Sequence, residues 1–272
     1  MSGEGHEMQC ETLLVKRDRE VMTVTLNRPE KLNAMNDVMV DELIRVFSDL
    51  RSDTTTRFLI LKGAGETFTS GVDLASALQK VKTEAVAPYE VARSQQLRGH
   101  DLMQTLERLE QVTIAAINGR CLGAGFAIAL ACDFRILSDD AALGLPEAHV
   151  GIFFTWGCTP RLVRLVGLSR AKELIMTCNE IGASRALEWG LANRVVPRNE
   201  LHACATEFIA QIAKQGPLAV RLTKKIANAA ALSNIGDLWL CEPELVERVF
   251  ASDEPIEGFN AFLEKREPKF RP

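Results

Sequence analysis

The sequence predicts an α/β fold in which strands and helices alternate, followed by a helical region. Two short apolar runs, RFLILKG at 57–63 and VTIAAINGRC at 112–121, are typical of strands that are buried on both faces. Each run leads into a glycine-containing turn and then a helical pattern, and such repeats imply right-handed crossover connections. After Pro197 the pattern stays helical, which divides the chain into a core at 1–197 and a helical region at 198–272.

The first elements are two strands and one amphipathic helix. LLVKRD at 13–18 and VMTVTLNRP at 21–29 are the strands, and the second alternates with period two before a proline. A helix is predicted within 31–53 because apolar residues recur there at spacings of three and four. These residues are Met35, Val38, Met39, Leu43, Val46, Phe47 and Leu50. The polar stretch 75–100 is interpreted as a loosely packed helix.

The later elements follow the same logic. GRCLGAGFAIALACD at 119–133 contains a helix that is apolar on every side, directly after a buried strand. DFRILSDDAALGLPE at 133–147 predicts a strand, a turn and a strand, and NRVVP at 193–197 ends the core. Two amphipathic helices are expected beyond it, over LHACATEFIAQIAKQ and PLAVRLTKKIANAAAL.

The composition excludes several classes of protein. A net charge of -4 and a pI near 5.7 argue against a nucleic-acid-binding or anionic-membrane-binding surface. The N-terminal stretch is polar and unlike a signal peptide, and no uncharged apolar run reaches the roughly 18 residues of a membrane helix. The seven cysteines are scattered without zinc-site spacing, which indicates reduced thiols and a cytoplasmic location.

Common catalytic and nucleotide-binding motifs are absent from the sequence. There is no GxSxG, no Walker GK[ST] and no HExxH. GAG at 63–65 begins like a dinucleotide-binding loop, but Phe68 stands where the third glycine belongs, so a Rossmann site is rejected. The four histidines are far apart along the chain, and no metal site is expected.

Two glycine-containing turns predict an anion-stabilising site. Gly123 and Gly125 precede the apolar helix, whose first N–H groups lack intrahelical partners and carry partial positive charge. FTSGVDL at 68–74 forms a second such turn, with Asp73 in the first turn of the next helix. Two backbone N–H groups converging on one oxygen stabilise an enolate or a tetrahedral oxyanion. The simpler alternative is a core helix whose glycines only permit tight packing.

These motifs resemble those of the enoyl-CoA hydratase/isomerase (crotonase) family over nearly the whole chain. The segments that carry the resemblance, in order, are NRPEKLNAM, FTSGVDL, AAINGRCLGAGFAIALACDFRILSDDAALGLPE, EWGLANRVVP and EGFNAFLEKREPKF. The resemblance implies a crotonase-like spiral of ββα units with a C-terminal helical trimerisation module, assembled as a trimer or a dimer of trimers. It also implies an acyl-CoA thioester substrate, with no cofactor beyond the coenzyme A of that substrate.

The resemblance also assigns candidate site residues. The N–H groups of Val72 and Ala124 would form the oxyanion hole. Contacts with coenzyme A are expected from Lys31, Ala64, Phe68, Gly71, Asp73, Leu74 and Gly123, and, towards a neighbouring subunit, from Phe262 and Lys265. The acyl pocket is expected to contain Ala127, Phe153, Phe154, Thr155 and Trp156.

The catalytic carboxyl predicted in this way is Glu147. Hydratases of the family use two glutamates, and this chain has Glu147 at one position but Ala127 at the other. A single carboxyl is sufficient for a double-bond shift, as in the family's Δ3,Δ2-enoyl-CoA isomerases. The apolar neighbours of Glu147 are expected to raise the pKa of its carboxyl. An unusual hydratase, other thioester-enolate chemistry and a non-catalytic acyl-CoA-binding protein remain alternatives. His149 and Glu66 are secondary acid–base candidates.

Overall fold

The computed structural model describes residues 9–83, 88–150 and 154–232, together with Glu257, Glu264, Arg266 and Lys269. Three of the expected site residues, Phe153, Phe262 and Lys265, therefore lie outside the described residues. The strands are β1 (Leu13–Asp18), β2 (Val21–Leu26), β3 (Phe58–Gly63), β4 (Val112–Ile117), β5 (Arg120–Leu122), β6 (Phe134–Ser138), β7 (Ala142–Gly144), β8 (Ile181–Gly182) and β9 (Arg194–Val196).

Helices cover these strands and continue beyond them. They are α1 (Asp37–Ser52), α2 (Leu74–Thr83), α3 (Pro88–Glu107), α4 (Ala124–Ala131), α5 (Cys158–Val166), α6 (Leu168–Thr177), α7 (Ala183–Glu188), α8 (Leu201–Ala213) and α9 (Pro217–Leu232). Short 3₁₀ turns occupy Pro29–Lys31, Glu147–Val150 and Arg198–Glu200. Among the described residues, no helix combines the length and the apolar character that crossing a membrane requires.

The described strands form two sheets, and the larger is mostly parallel. Its order is β1-β2-β3-β4-β6-β9, and only the β1–β2 pair is antiparallel. A smaller sheet has the order β5-β7-β8, with β5 and β7 parallel. Helices alternate with the strands of this mostly parallel sheet, so the α/β prediction is confirmed.

Parallel pairing between β3 and β4 brings the segments after them to the same edge of the sheet. Phe58, the first residue of β3, pairs with Val112, the first residue of β4, so the two strands of equal length end at the same edge of the sheet. Asn118, which follows β4, then binds the end of β3: its Oδ1 accepts the N–H of Gly63 at 3.0 Å, and its Nδ2 donates to Gly63 O at 3.0 Å. The two glycine-containing turns start from this edge.

Helix α4 has the character that its sequence predicts. All eight of its residues are buried, because the helix is enclosed by other elements and carries no polar side chain. The only groups that it offers to a ligand are the backbone N–H groups at its N-terminus.

The stretch 75–100 differs from the expectation of one loosely packed helix. Its described residues belong to two helices, α2 and α3, and α3 continues to Glu107. Leu102, Met103 and Leu106 are completely buried in the main core, so the end of α3 is firmly packed. The spacing of these three residues is helical, but they lie beyond the polar stretch on which the expectation was based.

The helical region after Pro197 begins as predicted, with α8 and α9. Leu201, Ala205 and Ile209 of α8 pack with residues of β3, β4 and β6 in a second core cluster. Lys224 of α9 donates to Asp133 Oδ2 at 2.8 Å and to Gln111 O at 2.7 Å, which fixes α9 to the end of α4 and the start of β4.

Candidate active site

In the first turn, residues 68–73, the backbone bonds on either side of Val72 fix the direction of the Val72 N–H. Met35 N–H donates to Gly71 O at 2.8 Å, and Asp73 N–H donates to Met35 O at 2.9 Å. Since the C=O and N–H of a trans peptide point in opposite directions, the Val72 N–H points away from Met35. It has no hydrogen-bond partner among the described residues.

The second turn, residues 122–125, leads into α4. Gly123 has φ +52°, which favours glycine, and it precedes the first helical residue, Ala124. Gly123 O accepts the N–H of Ala127 at 3.0 Å, so the Ala124 N–H of the same peptide points outward from the helix start. This N–H also has no partner among the described residues, and it lies at the positive end of the helix dipole.

The two turns can lie against each other because the residues that face each other there, Gly71 and Gly123, are glycines without side chains. A Cβ on Gly71, whose φ is +97°, would lie 3.7 Å from the Ala124 nitrogen. A Cβ on Gly123 would lie 4.0 Å from the Gly71 Cα. The structure therefore places the free N–H groups of Val72 and Ala124 in neighbouring turns, and their joint binding of one oxygen stays a prediction.

At position 125, glycine is required by close packing, whereas at position 123 it is favoured by the backbone angle. Gly125 lies within the first turn of α4, and a Cβ there would come within 2.1 Å of the Thr69 Cγ2. The simpler alternative of glycine for tight packing is therefore the correct one at this position.

Glu147 is brought to the second turn by the smaller sheet. Leu122 of β5 is in register with Gly144 of β7, and Gly123 N–H donates to Gly144 O at 3.0 Å. The chain then runs through Leu145, which is buried, to Glu147 at the start of a 3₁₀ turn. The Glu147 Oε1 lies 2.9 Å from the position that a Cβ on Gly123 would occupy.

The environment of the Glu147 carboxyl favours its protonated form. Its Oε2 is buried and has no hydrogen-bond partner among the described residues. Burial raises the pKa of Glu147, as the apolar neighbours in the sequence predict. A carboxyl with a raised pKa, held beside free backbone donors, is suited to exchange a proton with a ligand.

Ala127 lies on the same face of α4 as Gly123, four residues earlier. It is 1% exposed, and its methyl group provides no acid–base function. Of the other expected acyl-pocket residues, Phe154 and Trp156 are buried and Thr155 is half-buried. The Trp156 ring lies directly over Gly99 of α3, where a Cβ would come within 2.0 Å of it.

The expected coenzyme A contacts differ in how accessible they are. Lys31 and Leu74 are exposed, Ala64 is half-buried, and Phe68 is completely buried. The Asp73 carboxylate accepts the Ser76 N–H at 3.1 Å and Arg28 Nη1 at 3.1 Å. Partial burial raises the pKa of Asp73, but these hydrogen bonds outweigh burial and lower it. Direct contact of these residues with coenzyme A stays a prediction.

The sequence analysis did not single out Asn33, which shapes the loop 63–68. Asn33 is completely buried at φ +53°, and its Nδ2 donates to Ala64 O at 2.9 Å and to Thr67 O at 2.7 Å. Its Oδ1 accepts the Arg28 N–H at 2.9 Å. A signal was present, because asparagine is enriched at left-handed positions.

The secondary acid–base candidates lie on the surface. His149 and Glu66 are both exposed, and the Glu66 carbonyl accepts Arg198 Nη1 at 3.0 Å. Within the described ranges, no group of three or more His, Cys, Asp or Glu residues is arranged to hold a metal ion.

Comparison with known proteins confirms the family resemblance and the fold that it implies. A family model described as enoyl-CoA hydratase/isomerase matches residues 16–272. The chain is 36% identical over 260 residues to the short-chain-enoyl-CoA hydratase of Clostridium acetobutylicum, covering 95% of this chain and 97% of that protein. The chain belongs to the enoyl-CoA hydratase/isomerase family and is an enzyme of it.

Further relatives have similar sequence identity to this family member and similar coverage of it. The crotonyl-CoA hydratase of Syntrophomonas wolfei is 34% identical over 264 residues, covering 97% of this chain and 99% of that protein. A solved structure of an enoyl-CoA hydratase from Bacillus anthracis superimposes with a TM-score of 0.88 at 37% identity, covering 96% and 99% of the two chains. The names of these relatives favour hydratases.

Substitution of Gly123 by alanine in this family member should remove most activity. The left-handed φ of +52° is strained for alanine, and the added Cβ would lie 2.9 Å from the Glu147 carboxyl. We expect a loss of about 10²-fold in kcat, since a displacement of about 1 Å in an active site has that effect. Steady-state kinetics tests this, with Gly182→Ala as the control because its Cβ would meet nothing within 4 Å. Equal activity of Gly123→Ala and wild type would contradict it.

Proposed function

We propose that this enzyme shifts the double bond of a 3-enoyl-CoA thioester to the 2 position. The observation that carries the proposal is the combination of Glu147 beside the second turn with Ala127 on α4. A carboxyl with a raised pKa lies against the second turn, whereas the position on α4 where hydratases of the family carry another glutamate is a buried alanine.

The reaction would proceed by movement of one proton. Glu147 takes a proton from C2, and the electron pair of that C–H bond delocalises onto the thioester oxygen to form a dienolate. The N–H groups of Val72 and Ala124 bind this oxygen more strongly as its negative charge grows, which is the kind of interaction that accelerates the step. Glu147 then returns the proton to C4, and the double bond forms between C2 and C3. Atoms and charge balance without a cofactor beyond the coenzyme A of the substrate.

A second candidate, hydration of a 2-enoyl-CoA, is favoured by the names of the relatives. Several matching proteins are called enoyl-CoA or crotonyl-CoA hydratases. Adding water requires a group that deprotonates the water and a group that protonates C2. Glu147 alone would have to serve both purposes, and loss of one acid–base group costs about 10² to 10⁴ in rate.

Two parallel incubations distinguish the candidates. The enzyme is mixed with a 3-enoyl-CoA in one and with a 2-enoyl-CoA in the other, over a series of acyl lengths. We expect conjugated product from the 3-enoyl-CoA at a higher kcat/KM than hydration of the 2-enoyl-CoA. Faster hydration would replace the isomerase proposal by the hydratase. Binding without either reaction would remove both.

We also propose that the chain self-associates as a trimer or a dimer of trimers through 198–272. The resemblance to the family implies this assembly, and a helical region rich in apolar residues gains stability by burying them against another subunit. Light scattering at micromolar concentration should give three or six times the mass of 30.0 kDa. A stable monomer at that concentration would contradict the proposal.

A further inference from the structure

Thr69 belongs to the first turn and lies where that turn packs against the second. It is completely buried, and its backbone forms a parallel bridge with Cys121 of β5. Its carbonyl accepts the Leu122 N–H at 3.0 Å. The backbone of the first turn is therefore bonded to the backbone of the second turn through this residue.

The Thr69 hydroxyl fixes the first turn internally. It donates to Asn33 O at 2.7 Å and accepts the Gly71 N–H at 3.0 Å. Both bonds are buried, so neither partner has water as an alternative. The bond to the Gly71 N–H orients Gly71, whose carbonyl belongs to the same peptide group as the Val72 N–H. Gly71 has no Cβ that would otherwise restrain its backbone.

The Thr69 methyl group contacts the second turn. Its Cγ2 would be 2.1 Å from a Cβ on Gly125, so the methyl packs directly on the α4 backbone next to Ala124. One side chain thus holds the first turn by hydrogen bonds and the second turn by van der Waals contact.

We infer that Thr69 is a positioning residue that sets the relative placement of the Val72 and Ala124 N–H groups. This inference rests on the proposed enolate chemistry. Its hydroxyl keeps the Val72 donor aimed at the oxygen, and its methyl keeps the two turns at their distance. Loss of the hydroxyl weakens binding of the charged oxygen more than binding of the neutral thioester, because the charged form depends most on donor alignment.

Three substitutions separate this role from general stability. Thr69→Val keeps the shape and removes the hydroxyl, and Thr69→Ser keeps the hydroxyl and removes the methyl. Thr113→Val is the matched control: Thr113 is also completely buried, and its hydroxyl also makes two hydrogen bonds, both with Asp133 at the far end of α4. We expect all three to lower the midpoint of thermal unfolding.

Binding of acetoacetyl-CoA provides the readout that a purely structural role would not move. Its enolate places negative charge on oxygen, and the ultraviolet band of the enolate reports the fraction ionised when bound. Butanoyl-CoA is the neutral comparison. For Thr69→Val we expect kcat to fall about 10- to 100-fold with KM within about threefold of wild type, and the bound enolate fraction to fall with kcat. Thr113→Val should keep kcat and enolate fraction near wild type. Thr69→Ser keeps the hydroxyl and loses only the methyl contact, so both quantities should fall less in this variant than in Thr69→Val.

Several outcomes would overturn the inference. Wild-type kcat and enolate fraction in Thr69→Val would exclude the role of the hydroxyl, and an equal loss in Thr113→Val would assign the effect to destabilisation. If Thr69→Val does not fold, Thr69→Cys against Thr69→Ser repeats the comparison without the methyl, since a thiol is a weak hydrogen-bonding group. A wild-type enzyme that does not enrich the enolate would instead remove the proposed function, and the inference with it.

Discussion

Replacement of Glu147 by glutamine should lower kcat by about 10² to 10⁴, the usual contribution of a general base. The two side chains have nearly the same shape, so the contact with Gly123 and the binding of acyl-CoA should persist. Calorimetric titration with butanoyl-CoA, alongside turnover of a 3-enoyl-CoA, measures the two quantities separately. Loss of binding together with turnover would show that Glu147 holds the site together instead of moving a proton.

The pH dependence follows from the raised pKa of this group. Because Glu147 acts as a base, kcat/KM should rise with pH as the carboxyl ionises, at a pH above the ordinary range of a glutamate.

The raised pKa of Glu147 also makes the stability of the folded protein depend on pH, but stability should fall with rising pH where activity rises. The folded protein holds this proton more tightly than the unfolded chain, so stability is highest when the carboxyl is protonated and declines as the pH rises through that pKa. Glu147→Gln should lose both dependences.

His149→Asn is the control, since His149 lies two residues further on and is exposed. We expect nearly wild-type turnover from this variant. An impaired His149→Asn enzyme combined with an unimpaired Glu147→Gln enzyme would transfer the role of base to the histidine.

Replacement of Ala127 by glutamate should introduce or increase hydration of a 2-enoyl-CoA. Ala127 lies one turn after Gly123 on α4, and a carboxyl there would lie on the same face as the second turn. Like-charge repulsion should then raise the pKa of one of the two carboxyls, so that one donates a proton while the other activates water. Formation of 3-hydroxyacyl-CoA from the 2-enoyl-CoA is the measurement.

Ala127→Gln separates charge from volume. Ala127 is 1% exposed, so either long side chain requires the surroundings to move, and both variants should lose stability. Only the glutamate should hydrate the substrate. Equal hydration by the two variants, or by neither while acyl-CoA still binds, would contradict the two-carboxyl explanation of hydratase activity.

The sequence predicted the local features of the site well, because short-range chemistry determines them. The apolar run of α4 and the glycine before it predict a buried helix with a free N-terminus, and the apolar neighbours of Glu147 predict its raised pKa. Contacts between distant segments were not predictable in the same way. The register of Leu122 with Gly144, which delivers Glu147 to Gly123, depends on pairing between strands that carry no sequence signal for each other.

Buried polar residues with supporting roles were also missed. Asn33 and Thr69 lie in motifs that drew attention for other residues, and their hydrogen bonds reach backbone groups of other segments. A single buried hydroxyl or amide has no periodic pattern, so only the assembled structure reveals what it binds. The same reason explains Gly125, whose need for close packing depends on the Thr69 methyl.

The most direct test of a single carboxyl acting beside two backbone donors is the reaction of a 3-enoyl-CoA in deuterated water, followed by nuclear magnetic resonance. With the wild-type enzyme we expect 2-enoyl-CoA and little 3-hydroxyacyl-CoA. Deuterium should enter at C2 and C4 in those turnovers in which the proton on Glu147 exchanges with solvent before it is returned to the substrate. With Glu147→Gln, both the conversion and the deuterium entry should slow by about 10² to 10⁴. Deuterium entry at the wild-type rate in Glu147→Gln, or 3-hydroxyacyl-CoA as the main wild-type product, would contradict the account.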